Sequence, residues 1–412
     1  MGFAKLQMAG DLHFSDAVYG FGAGIFFIGY FVFEVPSNVI LARVGAKAWI
    51  ARIMITWGVL SSALMFVENE LWFYTLRFLL GAAEAGFFPG IILYLTYWFP
   101  ASRRARMTAS FMTAIAISNA IGSPISGAIL QTLDGWNGWR GWQWLFLLEG
   151  IPSVIMGLVV LIWLDNGPRQ AKWLKEEERD LVLQRLAADE ASKQGQGHEH
   201  HFIDAFRDGR VWALAAAYFC GLLGFYAVTF WMPTIIQELG VDPKDFLAVG
   251  LLSMIPWGVA AVSMVLVGSH SDRTGERRWH AAGSLLVAVV GLLALAMIGH
   301  APAPSIIALT LVTAGTASWA AIFWSLPTAF LSGTAAAAGI AWINSVGNLG
   351  GHFGPDLIGR IRTATNSTEA AFFALAATAF VGAMIILLLP RAQSRTAGLV
   401  QGLAPVVSGP KR

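Results

Sequence analysis

Arg77 and Glu84 stand seven residues apart in the otherwise apolar stretch LRFLLGAAEAGFFPGIILYLTYWFP (76–100). A guanidinium stays charged at any biological pH and presents a planar fork that matches a carboxylate, so a secluded arginine is a natural anchor for an organic anion. A glutamate of ordinary pKa ~4.3 is a poor proton carrier near neutrality, but a carboxyl taken out of water holds its proton more readily. Seven residues make nearly two helical turns, so both charges fall on one face with Gly81 beside them. Ala82, Gly86 and Gly90 lie on roughly the opposite face and form a small-residue ridge suited to close helix packing. Two readings stand: a site for substrate and proton, or a buried ion pair that fixes packing.

The element holding these residues is long enough to cross a bilayer as one helix, since ~20 residues at ~1.5 Å rise suffice. A charge at mid-membrane costs at least ~2.5–3.5 kcal/mol, so this pair must face protein or a watery cavity. The whole chain has the composition of an integral membrane protein. Its 412 residues are 56% hydrophobic and 13% charged, with a mean hydropathy of +0.61, whereas a soluble domain carries roughly a quarter charged residues. The net charge of +2 is uninformative about partners. Cys220 is the single cysteine, which excludes an internal disulfide.

Eleven full spans are expected, near 18–41, 47–66, 71–98, 106–131, 144–164, 211–238, 246–270, 280–300, 305–331, 335–359 and 369–390. Basic residues gather in alternate connections: Arg43, Lys47 and Arg52; Arg103, Arg104 and Arg106; Arg169 to Arg210; Arg273, Arg277 and Arg278; and the tail from Arg391. These segments hold 21 of the 27 lysines and arginines. The positive-inside rule then makes them cytoplasmic, together with the C-terminus. The longest polar stretch, 165–210, divides a first membrane half (1–164) from a second (211–390), followed by a tail (391–412). Within it, WLKEEERDLVLQRLAADE from Trp173 reads as a short surface helix. His198, His200 and His201 follow, but nothing nearby completes a metal-ligand set, so a solvated linker is expected and no metal or cofactor is assigned.

Other polar residues are weaker candidates. Tyr30 and Glu34 are one turn apart on the first full span, with Asn38 another turn on. Glu34 lies toward the basic-loop end and reads as an inter-helix structural contact. Asn119 follows Ser118 before GSPISG, where Pro124 and the glycines suggest a bend. Tyr226 and Trp231 flank a WMP break, where they are placed to gate or to stack on substrate. Asn344, Asn348 and His352 follow one another at single turns, His352 reading as a packed histidine. Trp136, Trp139, Trp142 and Trp144 cluster at a span boundary and read as an aromatic belt.

The loop GSHSDRTGERR (268–278) resembles the G-x-x-x-D-R-x-G-x-R-R signature of the major facilitator superfamily, matched weakly in the first half by NVILARVGAKA (38–48). YGFGAGIFFIGYFVFEVPSN (19–38), LRFLLGAAEAGFFPG (76–90), GWQWLFLLEGIP (141–152) and INSVGNLGGHFGP (343–355) resemble its anion:cation symporter branch, which carries acids such as tartrate, phthalate and hexonates. The resemblance implies an all-α fold of two six-helix bundles related by a pseudo-two-fold, alternating access, and proton-coupled uptake of a small organic carboxylate at the inner membrane. It assigns substrate contacts to Arg77, Ser325 and Asn348, proton coupling to Glu84, and a gating loop to Asp272, Arg273 and Arg277. The residue-level reading adds Tyr30, Asn119 and Tyr226 as substrate contacts. In the family, the phrase matching GFAKLQM (2–8) closes the first helix after a D-R-x-N motif. That motif is missing here, so the chain is expected to begin partway through helix 1. Asn38 and Ala42 replace the usual Gly and Asp of the first-half loop, whose ion pairs are expected to be weaker than those around Asp272.

No phosphate loop or nucleotide fingerprint argues for ATP-driven transport. A non-transporting solute receptor of the same fold is the main rival; a membrane enzyme is another, although the histidines are scattered. The expected partners are a small organic anion, protons and the lipid bilayer, with no nucleic acid, for a monomeric protein.

Overall fold

The computed structural model describes residues 1–194, 207–298, 301–327 and 333–390, and among these there is no strand. The helices in chain order are α1 (Gly2–Asp11), α2 (Asp16–Val44), α3 (Ala46–Ala63), α4 (Glu70–Glu84), α5 (Phe87–Trp98), α6 (Ala101–Thr132), α7 (Gly141–Trp163) and α8 (Glu176–Gln194). The second half adds α9 (Gly209–Gln237), α10 (Phe246–Thr274), α11 (Arg278–Ile298), α12 (Pro302–Phe323), α13 (Gly333–Asn348), α14 (Gly350–Thr365) and α15 (Glu369–Leu388). Ten helical stretches among the described residues are long and apolar enough to cross a membrane. Large apolar side chains such as Ile155, Leu158 and Ile162 on α7 face outward, 54%, 49% and 72% exposed, as lipid-facing residues do and core residues do not.

Polar caps set where spans begin. Ser15 accepts a hydrogen bond from the amide of Val18, Asn69 from that of Trp72, and Asp245 from that of Ala248. Each satisfies an amide that the first helical turn leaves without an intrahelical partner.

Three expected spans differ from single helices. The 71–98 span is broken: Ala85 is extended and Gly86 has φ +84°, which separates α4 from α5. Glycine is required at that turn twice over, because a Cβ there is strained and would lie 2.4 Å from the Ser37 hydroxyl. The 335–359 span runs as α13 and α14, joined at Leu349 within the glycine-rich NSVGNLGGHFGP. The 305–331 span is helical only to Phe323, followed by a turn over Trp324–Leu326; residues 328–332 lie outside the described set. The short surface helix is present as α8, near which Trp173 stacks on Trp98 of α5 at 5.7 Å. His198, His200, His201 and the tail beyond Pro390 lie outside the described residues.

In the first half α3 packs on α7, and α2 on α4. In the second half α11 packs on α12 and α15, and α9 on α13, α14 and α15. Two seams join the halves, α2 with α14 and α6 with α10. Both are closest at the end away from Arg43, Lys47 and Arg273. A Cβ on Gly359 would lie 2.3 Å from the Asp16 carbonyl oxygen, and one on Gly127 would lie 2.3 Å from that of Phe246. Contacts of that kind bring backbone against backbone and shut the bundle at that end.

Candidate functional site

Arg77 is 5% exposed, and its guanidinium does not pair with Glu84. Nε donates to the Gly22 carbonyl oxygen at 3.1 Å and Nη2 to that of Ala23 at 2.9 Å. A helical carbonyl has a second lone pair, so α2 accepts these bonds without giving up its own ladder. The guanidinium carbon lies 4.9 Å from the Phe26 ring centroid and 5.9 Å from that of Phe230. One edge of the fork is therefore spent on α2. Among the described residues Nη1 has no partner, so the other edge is available to an anion.

The close approach of α2 and α4 makes this possible. A Cβ on Gly81 would sit 1.8 Å from the Phe26 carbonyl oxygen, and one on Gly29 would sit 2.2 Å from that of Phe78. Gly81 is thus the tightest packing position, on the same side as Arg77. The expected division into a charged face and an opposite packing face is corrected accordingly. Of the small-residue ridge, Gly90 meets Leu41 and Gly86 meets Ser37, both also on α2.

Glu84 is the last residue of α4, at the break, and is half-buried. Among the described residues no hydrogen bond or ion pair reaches it, although it remains within electrostatic reach of Arg77. Arg52 of α3 lies nearby, stacked 3.8 Å from the Trp49 ring centroid with Nη1 3.5 Å from the carbonyl oxygen of Ala83. The ion-pair alternative for Arg77 and Glu84 is not what the geometry contains.

The other expected site residues divide. Tyr30 is buried on α2, with its ring 6.3 Å from that of Phe26. Tyr226 on α9 reaches across to Phe27 at 4.4 Å and lies 6.4 Å from Phe230. Both thus join the aromatic group around Arg77. Asn348 is buried at the end of α13. Asn119 donates to the Ile115 carbonyl oxygen of its own helix at 2.8 Å, and Ser325, in the turn after α12, to that of Ile322 at 2.7 Å, so both use a donor locally. His352 packs against Gly24 and lies 5.8 Å from Phe21; its buried Nδ1 has no partner among the described residues.

Asp272 and Arg277 form an exposed ion pair, and Arg273 occupies the last turn of α10. Arg278 donates to the Leu389 carbonyl oxygen at 2.6 Å, tying this loop to the end of α15. Glu276 caps α11 through the amides of Trp279 and His280; although partial burial works against its charge, these bonds hold its carboxyl below the usual range. The first-half loop has no such ion pair among the described residues: the Lys47 amide donates to Asn166 at 2.9 Å instead. Of the tryptophans, Trp136 is exposed as a belt residue should be. Trp142 is buried, its indole N–H donating to Asp11 at 2.9 Å, which corrects the belt reading there.

Two polar groups pair residues that the sequence does not bring together. At the closed end Arg362 of α14 binds Asp16 of α2 at 2.9 Å and Glu238, just after α9, at 2.6 Å; Lys5 of α1 reaches Asp16 at 2.9 Å. The Ala17 amide also donates to Thr363, and the Tyr19 hydroxyl to the Phe230 carbonyl oxygen. Deeper in, Glu34 is 4% exposed and accepts from Asn344 and Ser345 of α13. Its contact is with the opposite half, more than three hundred residues away.

A small cavity lined by Met112, Ala116, Phe225, Trp257 and Ala317 is wholly apolar and has no group able to hold an anion.

An all-helical bundle of membrane-crossing length, two halves meeting at paired seams, and buried charge facing the seam define a membrane transporter rather than an enzyme. The chain belongs to the Major Facilitator Superfamily, whose family model matches residues 1–355. It is 50% identical to a protein of Agrobacterium vitis named "Putative tartrate transporter", over 98% of this chain and 92% of that one. It is 38% identical to the "Inner membrane transport protein RhmT" of Escherichia coli (strain K12), over 94% of this chain and 89% of that one. The inward-open xylose transporter XylE from E. coli shares the fold at TM-score 0.73 and 15% identity, covering 98% of this chain and 95% of that one.

Proposed function

We propose that this protein imports a small organic carboxylate together with protons across the bacterial inner membrane by alternating access. The observation that carries the reading is the half-used fork of Arg77. Two carbonyls of α2 hold one edge in place, and among the described residues the other edge has no partner in a nearly dry aromatic surround. Such an edge binds a carboxylate in bidentate fashion and pre-pays the orientation cost. Phe26, Tyr30, Tyr226 and Phe230 supply the walls, and Asn348 a further polar contact. The names of the relatives from A. vitis and E. coli agree with an anion such as tartrate and with the inner membrane.

Glu84 is the proposed proton carrier. With no partner among the described residues, it is free to take a proton once the substrate carboxylate occupies Arg77 and removes its counter-charge. The two halves, 1–164 and 211–390, are proposed to rock about this site, connected by 165–210. Their basic loops, including Asp272, Arg273 and Arg277, together with the 391–412 tail, are assigned to the cytoplasm by the positive-inside rule. The closed seams then lie outside, and the conformation is inward-facing.

The test is uptake into proteoliposomes holding the purified protein, using labelled carboxylates from tartrate to phthalate and sugar acids, with and without an inward proton gradient. Gradient-dependent accumulation of one of them supports the reading. Binding without net flux favours the receptor alternative.

A further inference from the structure

Glu34 is a buried carboxyl that the reading above leaves unused. Both its oxygens are taken by the opposite half: Asn344 Nδ2 donates to Oε1, and Ser345 Oγ lies 3.1 Å from Oε2. Among the described residues no lysine or arginine lies within ion-pair distance of it.

Its depth is fixed by the packing of its helix. Gly29 of α2 lies against Phe78 and Ala82 of α4, and Ser37 of α2 against Gly86. Glu34, between Gly29 and Ser37, therefore sits level with Glu84, between Ala82 and Gly86. The charged and titratable groups around it are few. Tyr30 lies one turn earlier on α2; α4 contributes Glu84, and α3 contributes Arg52 beside Ala83, while Arg77 is held further toward the closed end on Gly22 and Ala23. Tyr218 approaches from α9, while α13 presents only the neutral Asn344 and Ser345. On α14, His352 packs against Gly24, and Asp356, Arg360 and Arg362 lie further toward the closed end.

The two partners are of a particular kind. An amide N–H only donates, and it serves a carboxylate oxygen or the C=O of the neutral acid equally well. A serine hydroxyl donates to a carboxylate, and by turning about its C–O bond accepts from the acid's O–H. The contact between the halves therefore survives a change in the charge of Glu34, which an ion pair would not. This is the arrangement for a group that takes up and gives up a proton while the seam holds.

We propose that Glu34 is a second proton-binding residue of the transport cycle, so that each substrate is accompanied by two protons, one on Glu84 and one on Glu34. The inference rests on the proton-coupled reading above. The proton enters on one side when Glu34 is a carboxylate and leaves on the other from the neutral acid, with no other bond changed.

The test compares wild type with Glu34→Gln in proteoliposomes, reading tartrate accumulation at equilibrium against an imposed pH difference. Glutamine keeps both hydrogen bonds and imitates the protonated form. Each coupled proton raises the limiting accumulation about tenfold per pH unit. Wild type should reach about a hundredfold at one unit and Glu34→Gln about tenfold, with exchange of labelled for unlabelled tartrate preserved. An unchanged slope in the variant overturns the inference while leaving proton coupling intact. Loss of exchange in a variant that retains wild-type melting also overturns it, because the neutral form of Glu34 is then not one that the cycle can pass through. A wild type with no pH-driven accumulation overturns the underlying reading instead.

Discussion

Replacing Arg77 by lysine keeps the charge and removes the geometry, which makes it an informative perturbation of the site. In the native protein Nε and Nη2 hold the Gly22 and Ala23 carbonyl oxygens at 3.1 and 2.9 Å, and Nη1 faces the proposed substrate. A lysine ammonium is a single point with three donors. If it satisfies the α2 carbonyls it no longer presents a fork; if it turns to the substrate, two buried carbonyls lose charge-assisted bonds. Either way at least one such bond is lost, worth ~1.5–3 kcal/mol, or roughly ten- to more than a hundredfold in affinity. Arg77→Ala removes the charge as well and should cost little more in binding, although it should lower the melting temperature further. Isothermal titration with the transported carboxylate, alongside melting in the same detergent, separates the two effects. Arg77→Lys with wild-type affinity refutes the fork argument and reduces Arg77 to a source of positive potential.

Gly81→Ala would place a Cβ 1.8 Å from the Phe26 carbonyl oxygen, so α2 and α4 must part. A loss of about 1–3 kcal/mol is expected, seen as a lower melting temperature together with weaker binding through Arg77. Arg362→Gln removes the bonds to Asp16 and Glu238 at the closed end. A cost of about 1–2 kcal/mol shifts the ratio of closed to open forms roughly five- to thirtyfold, and spin labels at Glu68 and Thr365 should report a longer distance; an unchanged distribution removes Arg362 from the gate. In a Cys220→Ala background, a cysteine at Lys172 should react with an impermeant maleimide only from the cytoplasmic side and one at Glu68 only from outside. The reverse pattern inverts the topology.

Hydropathy and basic loops made most of the spans legible, because membrane crossing imposes length and composition locally. The loop at Asp272 was legible too, since both partners of its ion pair lie within five residues. The break at Gly86 was not: an apolar run reads the same whether or not one glycine adopts positive φ, and the Ser37 hydroxyl that forbids a side chain there is on another helix. The fork of Arg77 was assigned to a substrate from residue type alone, while its two carbonyl acceptors carry no side-chain signal. Glu34 was legible as a contact but not as one to Asn344 and Ser345, and the Asp16–Arg362 bridge joins residues 346 positions apart. Pairings of that range come from the docking of the two halves, which no local pattern encodes.

The central claim is that Glu84 carries a proton that drives the carboxylate. Glu84→Gln imitates the protonated residue and leaves the fork of Arg77 in place, because the two side chains are not bonded to each other. The decisive measurement is substrate accumulation by this variant in proteoliposomes under an inward proton gradient, with exchange at equal pH read from the same preparation. Exchange should persist while gradient-driven accumulation falls about tenfold per pH unit, to the level that the proton on Glu34 alone supports. Accumulation at the wild-type level would contradict the account and remove Glu84 from coupling.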